Sequence, residues 1–166
     1  MQLDSAVADA LTAQINLEFA SAYAYLGMAT YFAHEGWAGF SSWMALQGQE
    51  ELGHARKFID YLLDRGGRVA LQAIAAPPVV FASPLAAFEA GLSHEQQVSQ
   101  SICALYEKAS AAKDYPTVSF LKWFLDEQVE EEKSAADMIA RLRLIGDSKA
   151  GLFQLDREAA RRAEKA

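Results

Sequence analysis

Residues 121–145 read LKWFLDEQVEEEKSAADMIARLRLI. Within them Leu121, Phe124, Gln128, Glu131, Ala135, Met138, Leu142 and Ile145 recur at alternating steps of three and four, the spacing of one face of an α-helix. Six of these residues are apolar or small. The other two, Gln128 and Glu131, sit mid-helix on the stripe that should meet a core. A long helix with an acid in its buried face sets the reading of the whole chain.

The same pattern recurs upstream. Leu11, Glu18, Tyr25 and Phe32 are seven apart; so are Met44, Glu51 and Phe58, and Phe88, Glu95 and Ile102. His54 follows Glu51 by three. Four long helices are predicted: about Ser5 to His34, Ala38 to Arg65, Pro84 to Lys113 and Tyr115 to Gly146. Glu35-Gly36 and Gly66-Gly67 stop the first two. Ser83-Pro84 opens the third as N-cap and first-turn proline, and Asp114-Tyr115-Pro116 opens the fourth. A short fifth helix is expected over about 149–163, its orientation left open by its polarity. No alternating strand pattern of useful length is present. The expected fold class is all-α, a single domain over 1–166 with its bundle over about 5–146.

Connection lengths give the topology. Helices one and two, and three and four, are joined by a few residues, so each pair is antiparallel. The link from Gly67 to Ser83 is 17 residues, which extended spans about 56 Å, against about 45 Å for a thirty-residue helix. The link can run the length of the bundle and set helix three parallel to helix two. That is a four-helix bundle with one long crossover.

Glu18 and Glu51 lie at matched distances from the first turn, and Glu95 and Glu131 from the third connection. Two hairpins therefore bring four carboxylates to mid-bundle. Surface glutamates read out of register could explain one helix but hardly four together. Buried salt bridges fail on inventory: no Lys or Arg occurs before Arg56 or between Arg68 and Lys108, and Arg56, Lys57 and Lys133 point off the stripes. Uncompensated buried carboxylates cost several kcal/mol each. Two divalent ions would carry the matching charge, and oxygen donors with one imidazole suit iron or manganese. Glu51–His54 places two ligands one turn apart on one helical face; in a bundle with three partner glutamates it reads as a di-metal carboxylate site.

The chain resembles the non-haem bacterial ferritins from about Asp4 to Arg161. The matching elements are Glu18 with Tyr25, the Glu50-Glu51-Leu-Gly-His54 block, His94-Glu95-Gln96, the run from Trp123 to Glu132, and the tail from Gly151 to Glu158. The resemblance implies iron storage with a ferroxidase centre and a shell of 24 subunits. Glu18, Glu51 and His54 would hold one iron, and Glu51, Glu95 and Glu131 the other, with Glu51 bridging. Gln128 would stand beside them as a weak ligand or hydrogen-bond partner. Glu50, Glu127 and Glu130 would form a third iron site facing the cavity, and Tyr25 would supply an electron. O₂ or H₂O₂ would be the oxidant. Leu52 stands where a haem-binding relative carries methionine, so no haem is expected. Trp123 reads as core, with electron donation as its other role; Glu132 reads as surface, His34 and His94 as helix-end or surface residues, Cys103 as a buried thiol.

The remaining composition narrows the class. The net charge is −7 over 166 residues, which argues against nucleic-acid or anionic-membrane partners. One cysteine permits no internal disulfide, and no secretory or membrane-spanning pattern is visible, so a cytoplasmic protein is expected. Two rival functions are a Dps-like iron-detoxifying dodecamer and a non-catalytic iron-buffering shell. A rubrerythrin-like peroxidase would need CxxC pairs, which are missing.

Overall fold

A computed structural model describes residues 3–163. It consists of α1 (Ser5–His34), α2 (Ala38–Asp64), α3 (Pro84–Ala111), α4 (Tyr115–Ile145) and α5 (Lys149–Ala163), with no strand among the described residues. None of these helices is long and apolar enough to cross a membrane. The starts follow capping chemistry: Asp4 accepts from Ala6 N and Val7 N, and Ser83 accepts from Ala86 N ahead of Pro84. Asp114 accepts from Thr117 N at the head of α4. After α2 the chain turns at Gly66, whose φ of +75° is cheap only without a Cβ.

Contacts across the bundle fix the helix directions. Phe32 at the end of α1 packs on Phe88 at the start of α3, ring centroids 5.6 Å apart. Ser101 in the second half of α3 donates to Gln14 near the start of α1 at 2.5 Å. Helices α1 and α3 are therefore antiparallel, and α3 runs parallel to α2. The connecting segment follows α1 for most of its length. Asn16 binds Ala70 O and Gln72 N near its start, Pro78 lies against Gly27, and Phe81 packs on Tyr31 near its end. At the opposite end of α2, Arg65 forms a mostly buried ion pair with Asp114 at 3.1 Å.

Two separate apolar clusters fill the interior. One holds Tyr25, Met28, Phe32, Phe40, Met44, Phe88, Met138 and Leu142. The other holds Val7, Leu11, Ile15, Phe58, Leu62, Ile102, Leu121 and Phe124, with Phe58 and Phe124 stacked at 4.0 Å. Full burial of such side chains stabilises by roughly 1.5–3 kcal/mol each. The candidate acids lie between the two clusters.

The fifth helix joins the first cluster through Leu155 and Ala159. Trp37 gives α2 no side-chain cap, and Asp156 of α5 supplies one instead, accepting from Phe40 N at 2.8 Å. The approach is so close that a Cβ on Gly39 would lie 1.7 Å from Asp156 O. This settles the orientation of α5 that its sequence left open.

Candidate metal centre

The four stripe glutamates are buried, at 0% exposure for Glu18, Glu51 and Glu95 and 6% for Glu131. Glu18 comes from α1, and Glu51 and His54 from successive turns of α2. Each offers a ligand atom, and these atoms all lie within 4.8 Å of one another; this is the one such group of three among the described residues. His54 Nδ1 stands 3.5 Å from Glu51 Oε2. Glu18 Oε2 and both carboxylate oxygens of Glu51 have no hydrogen-bond partner. Three buried carboxyl oxygens beside an imidazole fit a divalent cation: they converge, no other residue donates to them, and a cation would take the place of the protons that burial favours on them.

Basic side chains stay away. Arg56 pairs with Asp60 at 2.9 Å and Lys133 with Asp137, both on exposed faces. The acids must therefore share protons or bind cations. Burial drives Glu18 well above the ordinary carboxyl range, with the adjacent Glu51 adding to it. Burial raises Glu51 to about 8, helped by the charges of Glu95, Glu131 and Glu50. Burial raises Glu95 to about 7, the Tyr25 hydroxyl partly offsetting it. These mutual influences tie Glu95 and Glu131 electrostatically to the triad, although their ligand atoms lie outside the 4.8 Å group.

Hydrogen bonds orient the outlying acids. Tyr25 donates to Glu95 Oε1, and Gln128 Nε2 donates to Glu95 Oε2 at 3.2 Å. Gln47 of α2 donates to Glu131 Oε2 at 2.7 Å, and Gln14 of α1 to Glu18 Oε1 at 2.8 Å. Sequence reading missed Gln14 and Gln47. Their signal was present: Leu11–Gln14–Glu18 and Met44–Gln47–Glu51 keep the three-four step, so both amides sit on a core stripe.

Glu50 and Glu127 are half-buried and Glu130 is exposed. Their ligand atoms do not gather as those of the triad do. Glu127 acts electrostatically on Lys57, whose ammonium lies 3.1 Å over the Trp123 ring. Four expectations are corrected. Trp123 is 40% exposed rather than core, standing edge-on to His54 at 5.5 Å. Cys103 is exposed, because it follows the buried Ile102 around the helix. Glu132 is half-buried and accepts from Ser99 Oγ at 2.5 Å. His94 is half-buried, bonded through Nε2 to Ser21 Oγ at 2.7 Å.

Residues 8–145 match the ferritin-like domain family. The bacterial non-heme ferritin of Staphylococcus saprophyticus is 42% identical over 161 residues, covering 97% of this chain and 96% of that one. Among solved structures, an open-pore ferritin from the hyperthermophilic archaeon Archaeoglobus fulgidus superposes with a TM-score of 0.95 at 49% identity, covering 96% of this chain and 98% of that one. A closed form of the A. fulgidus ferritin, engineered by site-directed mutagenesis, gives a TM-score of 0.94 at 49% identity, covering 96% and 97%.

Proposed function

The chain belongs to the ferritin family, and on that premise we propose that it is a cytoplasmic iron-storage protein that oxidises Fe²⁺ at an intra-subunit di-iron site and keeps the ferric product inside a shell of 24 subunits. The observation that carries this is the set of bare oxygens on Glu18 and Glu51 beside His54, buried and paired with no Lys or Arg.

Iron is the substrate. Glu18, Glu51 and His54 take one Fe²⁺; Glu51, Glu95 and Glu131 take the second, with Glu51 shared. Glu51 suits the shared place because both of its oxygens are bare while the other three glutamates each carry an amide donor. Anionic oxygen ligands stabilise Fe³⁺ over Fe²⁺, so the site lowers the cost of giving one electron per iron to O₂ or H₂O₂. Ligation displaces the protons that burial holds on these carboxyls. With O₂, which two irons reduce only to the peroxide level, Tyr25 gives a further electron to the oxidant as its phenolic proton passes along its hydrogen bond to Glu95. Glu50, Glu127 and Glu130 offer a third, more open iron site on the way to the cavity. An exposed apolar groove lined by Tyr23, Leu26, Leu52 and Ile74 supplies area for contact with another subunit.

Aerobic Fe²⁺ addition followed by ultraviolet absorbance tests the reading. Rapid ferric formation by the intact protein and its loss in Glu18→Ala are expected. Equal slow oxidation in both would leave a passive buffering shell. A mass near 440 kDa (24 subunits of 18.2 kDa) is expected by size exclusion, whereas a dodecamer would favour the Dps-like alternative.

A further inference from the structure

Three of the four mid-bundle acids are each served by a buried carboxamide, and the sequence pointed only to that of Glu95, Gln128. Gln14 is 1% exposed. Its Nε2 donates to Glu18 Oε1 at 2.8 Å, and its Oε1 accepts from Ser101 Oγ at 2.5 Å. The orientation of this amide is fixed by chemistry. A ligating carboxylate only accepts, so the NH₂ end must face Glu18. The carbonyl end then needs a donor, and the Ser101 hydroxyl provides it. The relay runs from α3 through Gln14 to Glu18, and it occupies Oε1 while leaving Oε2 bare.

We propose that Gln14, held by Ser101, is a positioning residue that sets which oxygen of Glu18 is presented to the metal. A buried amide is not a packing choice. Leu11 and Ile15 show that this part of α1 takes aliphatic side chains, and a leucine at 14 would fill similar space without a polar group to satisfy. With leucine there, Glu18 would have two bare oxygens and no anchor. Its carboxylate could rotate, and the site would lose the pre-orientation that outer hydrogen bonds give to ligands. The inference rests on the iron-binding reading and adds a residue to it that touches no iron.

The test is anaerobic titration of the intact assembled protein with Co²⁺, read as the visible ligand-field spectrum and as affinity. Gln14→Leu should bind Co²⁺ about 10–100-fold more weakly, with an altered spectrum. Ser101→Ala, which leaves the amide but frees it, should shift both readouts in the same direction by less. Assembly mass and helix content check that each variant is folded; if Gln14→Leu does not assemble, Ser101→Ala carries the test. Unchanged affinity and spectrum in the folded variants would overturn the proposal while leaving the iron site intact. Failure of the unaltered protein to bind Co²⁺ would overturn the iron-site reading and this one with it.

Discussion

The phenol of Tyr25 donates to Glu95 Oε1, joining α1 to α3 at the level of the buried acids. Burial and the charge of Glu95 push the Tyr25 hydroxyl well above its ordinary range, so a free phenolate does not form there. Glu95 is the acceptor already in place for the phenolic proton. An electron can therefore leave this ring only if its proton moves to Glu95 in the same event. Tyr25→Phe should assemble normally yet show no tyrosyl signal by electron paramagnetic resonance after rapid mixing with Fe²⁺ and O₂. A radical of undiminished size in that variant would remove Tyr25 from the chemistry.

Glu51→Gln keeps the shape of the central side chain and deletes its charge. The metal-free protein should melt at a higher temperature at pH 8, because the repulsion from Glu95, Glu131 and Glu50 is gone. Divalent binding at mid-bundle should be lost. Calorimetry with Zn²⁺ checks both at once; retained binding at two ions per subunit would show that Glu51 is not shared.

Stability of the metal-free protein should fall as pH rises. The folded chain holds protons on Glu51 up to about 8 and on Glu95 up to about 7, against an ordinary carboxyl value of 4.5. A raised folded-state value stabilises fully below the unfolded value and is lost on passing the folded one, so the decline belongs between about 4.5 and 8. Saturating Zn²⁺ should flatten it. Chemical denaturation midpoints across that window, with and without metal, decide the matter, and a rise with pH in the metal-free series would contradict it.

Trp123 lies edge-on to His54 at 5.5 Å, with Lys57 over its face. Ion binding at His54 should quench its fluorescence, while Trp37 and Trp43 pack with the first apolar cluster and respond less. Trp123→Phe should abolish most of the Co²⁺-dependent quenching. The Lys57 ammonium also makes the indole harder to oxidise, since it opposes a second positive charge on the ring. On the ferroxidase reading, Tyr25 would therefore be the better electron donor of the two.

Asp156→Ala should cost about 1 kcal/mol, the usual worth of a lost cap. Gly39→Ala should cost more, because its Cβ would meet backbone at 1.7 Å rather than a movable side chain. Faster amide exchange in α5, with α3 and α4 unaffected, is the expected signature.

The helices and the acid stripe were legible because both are periodic. Each of Leu121, Phe124, Gln128, Glu131, Ala135, Met138 and Leu142 is buried as its step predicts. What escaped depends on tertiary reach. Nothing in the sequence joins Asp156 to Phe40, 116 positions away, and the polarity of α5 hides its apolar edge. Trp123 looked like core by residue type, yet it lies beside the stripe and not on it. Gln14 and Gln47 were on the stripe, but an amide carries no charge and prompts no search for a counter-ion. Glu50, Glu127 and Glu130 do not gather as a ligand group, because rotamers decide that and helical spacing says nothing about them.

The greasy interior is divided in two, with the carboxylates as the seam. Each half has its own aromatic packing, Phe32, Phe40 and Phe88 in one and Phe58 stacked on Phe124 in the other, so neither depends on the seam for its cohesion. On the storage reading proposed above, cargo would cross the waist of each subunit between two firmly packed ends, and a container built from such staves would not need to come apart to be filled.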